Sequence, residues 1–259
     1  MSDSPSSKSA SSPTSSADHV TQLARRLAAL PALAMRRAVL RETLTALDAA
    51  AAARLCGEIV RRGRDGAPWD GALLALNAIL DGDDLFYDQA AAIYAAARDA
   101  GDEVLLRLML SGGPARGATD TEIPSVPVIP GKTLTLGERK SLARGRVARE
   151  RLDRLLHDRD PQVIAILLAN PAVTELDVVR MAARRPTTPE AQRAIFASER
   201  FIVRYEVKRA LAFNPYSPSE LAARLVPHLT RVDLKALAMD GAVSEQVREA
   251  ARETLREIP

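Results

Sequence analysis

Helix-start signals recur at regular spacing in the second half of the sequence, and they constrain the fold more than any other feature. Most are a Ser, Thr or Asp followed by Pro or by an acidic residue three positions on, the pattern of a helix N-cap. They stand at residues 160, 174, 188, 217, 230 and 244, at intervals of 14, 14, 29, 13 and 14 residues. We expect a further start near residue 202, within the run FIVRYEVKRALAF. Helices this short are unstable alone in water and must stack, so two helices per unit give a repeat of about 28 residues.

Three of these start signals, and a further one at Thr135, have the form of a capping box, in which two side chains each accept a hydrogen bond from the other's backbone N–H. The pairs are Thr135 with Glu138, Thr174 with Asp177, Ser217 with Glu220, and Thr230 with Asp233. Between two of these boxes, the run VIAILLA at 163–169 is apolar on all sides. We expect that helix to lie at the centre of the stack.

The first half of the sequence is also helical, after a tail. Residues 1–18 include nine Ser, a composition that cannot bury enough apolar surface to fold, so we expect a disordered tail. Apolar residues at helical spacing fill 19–110, where Pro31 separates two helices and Asp48 caps a third that Gly63 ends. Further helices are expected at 69–80, 85–100 and just before residue 110.

Residues 111–137 separate the two halves, with five Gly and four Pro among 27 residues. This composition predicts a linker. Prolines at every third position have the period of a polyproline II helix, which places the apolar residues between them on a second ridge. Two interpretations are open: the segment packs along the protein's own domains, or it docks into a partner's groove. The candidate docking residues are Ile123, Pro124, Val126, Pro127, Ile129 and Pro130.

These features predict an all-α fold of two helical modules. The predicted boundaries are a tail at 1–18, an N-terminal helical domain at 19–110, a linker at 111–137 and a repeat domain at 138–259. The second module is expected to be an α-solenoid, in which each unit covers the apolar face of the next.

The second module resembles a known family. Its segments NPAVTELDVVRMAA (170–183), RPTTPEAQRAIF (185–196) and NPYSPSELAARLVP (214–227) carry an Asn-Pro or Thr-Pro-Glu turn with a short Leu/Ala helix. They resemble bacterial HEAT-like repeats and the related leucine-rich repeat variant. The resemblance implies a scaffold or adaptor of a regulatory or motility system, with another protein, such as a small GTPase or response regulator, as partner. An iron–sulfur cluster known in some of these proteins needs several cysteines, and this chain has one.

Charge is unevenly distributed between the two halves. Residues 1–130 hold 13 basic and 16 acidic side chains and residues 131–259 hold 23 and 17, giving −3 and +6. One basic helix is expected from Glu138 to about His157, and bases four residues apart near residue 204 would share a helix face. A basic surface of this kind binds phosphates or an acidic protein. Its candidate residues are Arg139, Lys140, Arg144, Arg200, Arg204 and Lys208.

Residues suited to catalysis or metal binding are scarce. No two of His19, His157 and His228 have the spacing that places metal ligands on one helix face. Cys56 is interpreted as a small buried apolar residue. The glycine-rich GGPARG lacks the Lys-Ser/Thr of a phosphate-binding loop. We therefore expect no catalytic residue, cofactor or metal site, and a protein that is not an enzyme.

The leading hypothesis from the sequence is a non-enzymatic scaffold or adaptor that binds another protein through a helical repeat surface. The alternative is sequence-independent binding of a nucleic-acid phosphate backbone by the basic half. No apolar run reaches the roughly 18 residues of a membrane-spanning helix, and no signal peptide is recognisable, so we expect a cytoplasmic protein that does not contact membranes.

Overall fold

The computed structural model describes residues 16–81, 85, 87–110, 113–117, 122–123 and 127–258. Within these residues the all-α prediction is confirmed, because they form sixteen α-helices, one 3₁₀ turn at Val226–His228 and no strand. The first six helices are α1 Ser16–Ala29, α2 Leu33–Ala46, α3 Ala49–Arg62, α4 Trp69–Asp81, α5 Tyr87–Asp99 and α6 Glu103–Met109. The other ten are α7 Leu136–Arg144, α8 Arg149–Leu155, α9 Pro161–Ala169, α10 Glu175–Ala183, α11 Pro189–Phe196, α12 Glu199–Ile202, α13 Tyr205–Ala212, α14 Ser219–Leu225, α15 Arg231–Met239 and α16 Glu245–Glu257.

Helix α4 lies at the centre of the first half. Its sequence WDGALLALNAILD is apolar on nearly all sides, the pattern of a buried helix. Helices α1, α2 and α3 pack against it, and α5 and α6 cover α3. Three predicted helix boundaries are confirmed: α1 ends before Pro31, the Asp48 carboxylate accepts the Ala51 N–H at 2.7 Å, and Gly63 is the C-cap of α3. Helix α1 begins at Ser16, within the segment 1–18 that was expected to be a tail.

Most predicted helix starts of the second half are confirmed. The side chains of Asp160, Thr174, Thr188, Thr230 and Ser244 each accept a backbone N–H from the first turn of the following helix. Helix α9 packs between α7 and α11, and α10 packs against α13. Four residues of VIAILLA are 0–3% exposed, Val163, Ile164, Leu167 and Leu168. Ala165 and Ala169 are exposed, so α9 is buried on one side and has a solvent-facing side.

Two of the four capping boxes differ from the prediction. Helix α14 begins one residue later than expected, after Pro218, because Ser217 is buried and Glu220 pairs with Arg193 instead of reaching back. At Thr230 the backbone N–H is bound by the Tyr205 hydroxyl at 3.1 Å. The boxes at Thr135 and Thr174 are complete.

The expected single helix from Glu138 to His157 is wrong, because the chain breaks between α7 and α8. The buried Asn170 side chain explains the break: its Nδ2 donates to the carbonyls of Ala143 at 2.7 Å and Gly145 at 3.1 Å. These carbonyls would otherwise accept bonds from the next turn of a continuing helix. Asn214 binds the end of α10 in the same way, through Ala182 at 2.6 Å and Arg184 at 2.9 Å.

A second break lies within FIVRYEVKRALAF. Helix α12 ends at Ile202 and α13 begins at Tyr205, with Arg204 as its N-cap. The expected start near residue 202 is therefore present, at residue 205. The prediction that Arg200, Arg204 and Lys208 share one helix face is wrong, because they lie on two helices and the turn between them.

The linker packs partly on its own chain. Gly113 accepts the Ser219 hydroxyl at 2.7 Å, the Arg116 N–H donates to Pro215 at 2.9 Å, and Pro114 forms a bridge with Pro218. These contacts attach the start of the linker to the turn before α14.

Buried polar contacts join the first half to the second. The Arg224 side chain is 4% exposed, and it donates to the Leu108 carbonyl at 3.1 Å and pairs with Asp81 at 3.3 Å. Asn77, 0% exposed, donates to the Arg224 carbonyl at 3.0 Å. The buried apolar residues of both halves form one continuous cluster. None of the helices in the described residues has the length and apolarity required to cross a bilayer.

Candidate binding surface

Three of the predicted basic residues lie on α7, and two of them contact other side chains of the protein. Arg139 pairs with Asp158, whose side chain is 3% exposed, and Lys140 contacts the Gln162 side-chain oxygen. Arg144 is exposed and binds no other described residue. Arg139 and Lys140 thus fix α7 to the start of α9, while Arg144 remains available to a ligand.

The predicted basic residues after residue 199 have structural partners. Arg200 donates to the carbonyls of Asn170 at 2.9 Å and Val173 at 3.0 Å, so it tethers α12 to the turn before α10. Arg204 lies 3.6 Å from Glu175. Lys208 is 9% exposed, and burial lowers its pKa against the opposing effect of Asp70. Arg200 is linked to the end of α7 through Asn170, whose side chain donates to the Ala143 carbonyl. Arg204 pairs with a residue of α10.

The remaining arginines of the α7–α8 region divide into paired and unpaired groups. Arg149 binds two carboxylates, that of Asp177 and that of Asp153 at 2.7 Å. Arg154 binds Glu150 at 2.8 Å. The side chains of the unpaired group are exposed and form no hydrogen bond or ion pair with other described residues. We name it the α7–α8 surface, and it consists of Arg144, Arg146 and Arg151.

The pairing of Arg149 with Asp177 has a clear electrostatic effect. The guanidinium lowers the pKa of the Asp177 carboxyl to about 2, with further contributions from the Thr174 N–H and hydroxyl. The same bond raises the pKa of Arg149. Both groups stay charged at neutral pH, so this pair supports the position of α8 on α10 and is unavailable to a ligand.

A cavity of about 500 Å³ lies beside this surface. One wall is the end of the linker, and the other is formed by α7, α8 and the turn after α8. The lining consists of Pro127, Val128, Gly131, Lys132, Thr133, Leu134, Arg139, Arg154, His157, Asp158 and Arg159. The sequence reasoning considered the linker and the basic helix separately and missed that they enclose one space.

The docking residues proposed in the linker have different environments. Ile123 is 5% exposed and Ile129 is half-buried, whereas Pro127 and Pro130 are exposed. Pro124 and Val126 lie outside the described residues. Val128, 6% exposed, supplies a buried apolar contact that the three-residue period did not include.

Burial keeps the Cys56 thiol and the His228 imidazole uncharged at neutral pH. Burial raises the pKa of Cys56 to about 12, with a contribution from Asp102, so the buried thiol stays protonated. Burial and the cations Lys208 and Arg64 lower the pKa of His228 to about 3. Among the described residues, no three His, Cys, Asp or Glu side chains are grouped as a metal site would require.

Comparison with models of protein families, with curated proteins and with solved structures gives no match to this chain.

Proposed function

We propose that this protein is a non-enzymatic cytoplasmic scaffold or adaptor that binds an acidic segment of another protein at the α7–α8 surface. In this proposal its second half is a HEAT-like stack of two-helix units, and the basic corner between α7 and α8 is the contact site. The observation that carries the proposal is the set of three exposed, unpaired arginines at this corner.

Side-chain contacts support the repeat arrangement. In a stack of two-helix units, equivalent neighbours are one repeat apart in sequence. Contacts of this kind join residues 27 or 28 positions apart: Arg149 with Asp177, Arg184 with the Leu156 carbonyl, Arg193 with Glu220, and Tyr205 with Asp233. The spacing agrees with the period of about 28 residues expected for pairs of short helices.

The position of the unpaired arginines supports a protein contact site. Arg144 and Arg151 are seven positions apart in sequence, so their Cα atoms lie within about 25 Å of each other. All three charges therefore fit inside one interface of standard size. Arginine is enriched in such interfaces because its planar guanidinium binds carboxylates through two hydrogen bonds.

The mixed charge around this corner favours a protein over a nucleic acid. Strong backbone binding to a duplex uses about six to ten phosphate contacts. Here three arginines are unpaired, and two exposed acids lie beside Arg151 in sequence, Glu150 directly before it and Asp153 two positions after it. A phosphate backbone would meet these carboxylates, whereas a protein segment with its own mixed charges can accommodate them.

A peptide-display selection tests the proposal. The full chain and the variant R144Q/R146Q/R151Q are used as baits for the same random-peptide library. We expect acidic peptides to be enriched by the wild type and to bind the triple variant at least about tenfold more weakly. The control R98Q changes an arginine on α5 whose side chain is 66% exposed. Its affinity for the peptides should stay within about twofold of the wild type.

Fluorescence anisotropy with a labelled DNA duplex at low salt provides the second arm. Enrichment of no acidic peptide would contradict the proposal. Duplex binding that falls steeply with salt and is lost in the triple variant would replace it with backbone binding.

A further inference from the structure

The cavity between the linker and α8 contains an excess of positive charge. Its lining has four basic side chains, those of Lys132, Arg139, Arg154 and Arg159, and a single acid, Asp158. The Asp158 side chain is 3% exposed, and it is held by Arg139 and by the Asp160 N–H at 2.9 Å. The one acid of the lining is thus already bound by Arg139.

We propose that this cavity binds a phosphate group carried by a side chain of the partner protein. The inference rests on the proposed function, because it assigns the phosphate to the partner. Arg154 and Lys132, from opposite walls, would contact the phosphate oxygens. A phosphorylated side chain has a charge near −2 at neutral pH and three acceptor oxygens, so two cations approaching from different elements match it better than they match one carboxylate.

The present partners of these two cations can be exchanged. Arg154 pairs with Glu150, four residues away on the same helix and 79% exposed. Exposed pairs of this kind contribute less than about 1 kcal/mol. Lys132 is 57% exposed and lies 3.0 Å from Glu138. The Glu138 carboxylate also accepts the Thr135 N–H at 2.9 Å, so it keeps a partner when Lys132 turns away.

The other polar groups of the cavity are donors. Partial burial and the Arg184 guanidinium lower the pKa of His157, so its imidazole is neutral at neutral pH and can donate one N–H. Thr133 contributes a hydroxyl from the linker wall. The volume of about 500 Å³ exceeds that of a phosphate ion and is within the usual range of ligand pockets.

Isothermal titration calorimetry of the full chain tests the inference. The probes are the peptide acetyl-Ala-Ala-phosphoserine-Ala-Ala-amide, its unphosphorylated form, and inorganic phosphate. We expect the phosphopeptide to bind with a Kd of about 1 mM or below and the unphosphorylated peptide to give no heat. R154Q and K132Q should each weaken binding by about tenfold. The control R256Q, in which a 70% exposed arginine of α16 is changed, should bind within about twofold of the wild type.

Three outcomes would overturn the inference. The first is equal binding of the phosphorylated and unphosphorylated peptides, and the second is an equal loss of affinity in R256Q and R154Q. The third is binding of inorganic phosphate alone, which would assign the cavity to a free anion. The triple variant R144Q/R146Q/R151Q should bind the phosphopeptide within about twofold of the wild type, so failure here and failure of the peptide selection can be distinguished.

Discussion

At the scale of single residues, arginine has two separate uses in this chain. Arg149, Arg184 and Arg200 bind a carboxylate or carbonyl groups of another helix or turn about 28 positions away, so they hold neighbouring helices together. The side chains of Arg144 and Arg151 bind no described residue and are exposed. A guanidinium whose donors are occupied by another helix or turn is unavailable to a partner protein, whereas an exposed guanidinium without such a partner is available.

The Arg149 pair makes stability depend on pH through Asp177. The pKa of the Asp177 carboxyl is lowered to about 2. The stabilisation from the pair is therefore fully present above about pH 4 and is lost as the pH falls towards 2. We expect D177N to lower the free energy of unfolding by about 2 kcal/mol at pH 7, and the gap to the wild type to close between pH 4 and 2. Urea denaturation at several pH values measures this.

Asp153 provides the matched control for this prediction. It binds the same guanidinium at 2.7 Å but its side chain is 51% exposed, against 2% for Asp177. D153N should therefore change stability by less than about 0.5 kcal/mol. A D177N deficit that stays constant down to pH 2 would show that lost packing, and not the charge pair, is responsible.

At the scale of helices, ends are set by residues distant in sequence as well as by local signals. Local capping residues predict the starts of α9, α10, α11, α15 and α16, because the Ser, Thr or Asp side chain acts within its own first turn. The end of α7 could not be predicted in this way. It depends on Asn170, 27 positions after Ala143, and only folding brings the two together.

Asn214 provides the sharpest test of this helix-end role. It is 2% exposed, donates to two carbonyls at the end of α10 and accepts the Tyr216 N–H at 3.0 Å. N214A removes the Asn214 donor from the Arg184 carbonyl and leaves the Ala182 carbonyl with the longer bond from the Gln192 side chain at 3.3 Å. We therefore expect it to lower the free energy of unfolding by about 2 kcal/mol. Chemical denaturation followed by circular dichroism measures the loss.

Asp240 is the control, because it makes only the equivalent turn bond, accepting the Ala242 N–H at 2.9 Å. D240A should cost about 1 kcal/mol or less. Equal losses in N214A and D240A would mean that the carbonyl contacts to α10 contribute nothing.

At the scale of the whole molecule, the two halves are joined through polar groups buried between them. The sequence predicts both helical halves and the segment between them, because composition and helical periodicity are local properties. It did not predict that Arg224 would lie between Asp81 and Leu108, more than 110 positions earlier. Arg224 has the same sequence context as many exposed helix arginines, so only the folded chain distinguishes it.

Substitution of Arg224 tests how strongly the halves are coupled. R224A removes a 4% exposed guanidinium and leaves the Leu108 carbonyl without this donor, so we expect a loss of about 3 kcal/mol. Trp69, the sole tryptophan, lies on α4 in the other half, and its fluorescence should report the same lowered midpoint as circular dichroism. An unchanged Trp69 transition in R224A would show that the halves unfold independently. The control R98A should leave the unfolding midpoint unchanged by both fluorescence and circular dichroism.

A charge-swap binding experiment tests the proposed contact at the α7–α8 surface most directly. The strongest acidic peptide from the display selection and a version with its acids replaced by Lys are titrated into the wild type and into R144E/R146E/R151E. We expect the triple variant to lose at least about tenfold affinity for the acidic peptide and to gain at least about tenfold for the basic one. Unchanged affinity of the triple variant for the acidic peptide would contradict binding at this surface.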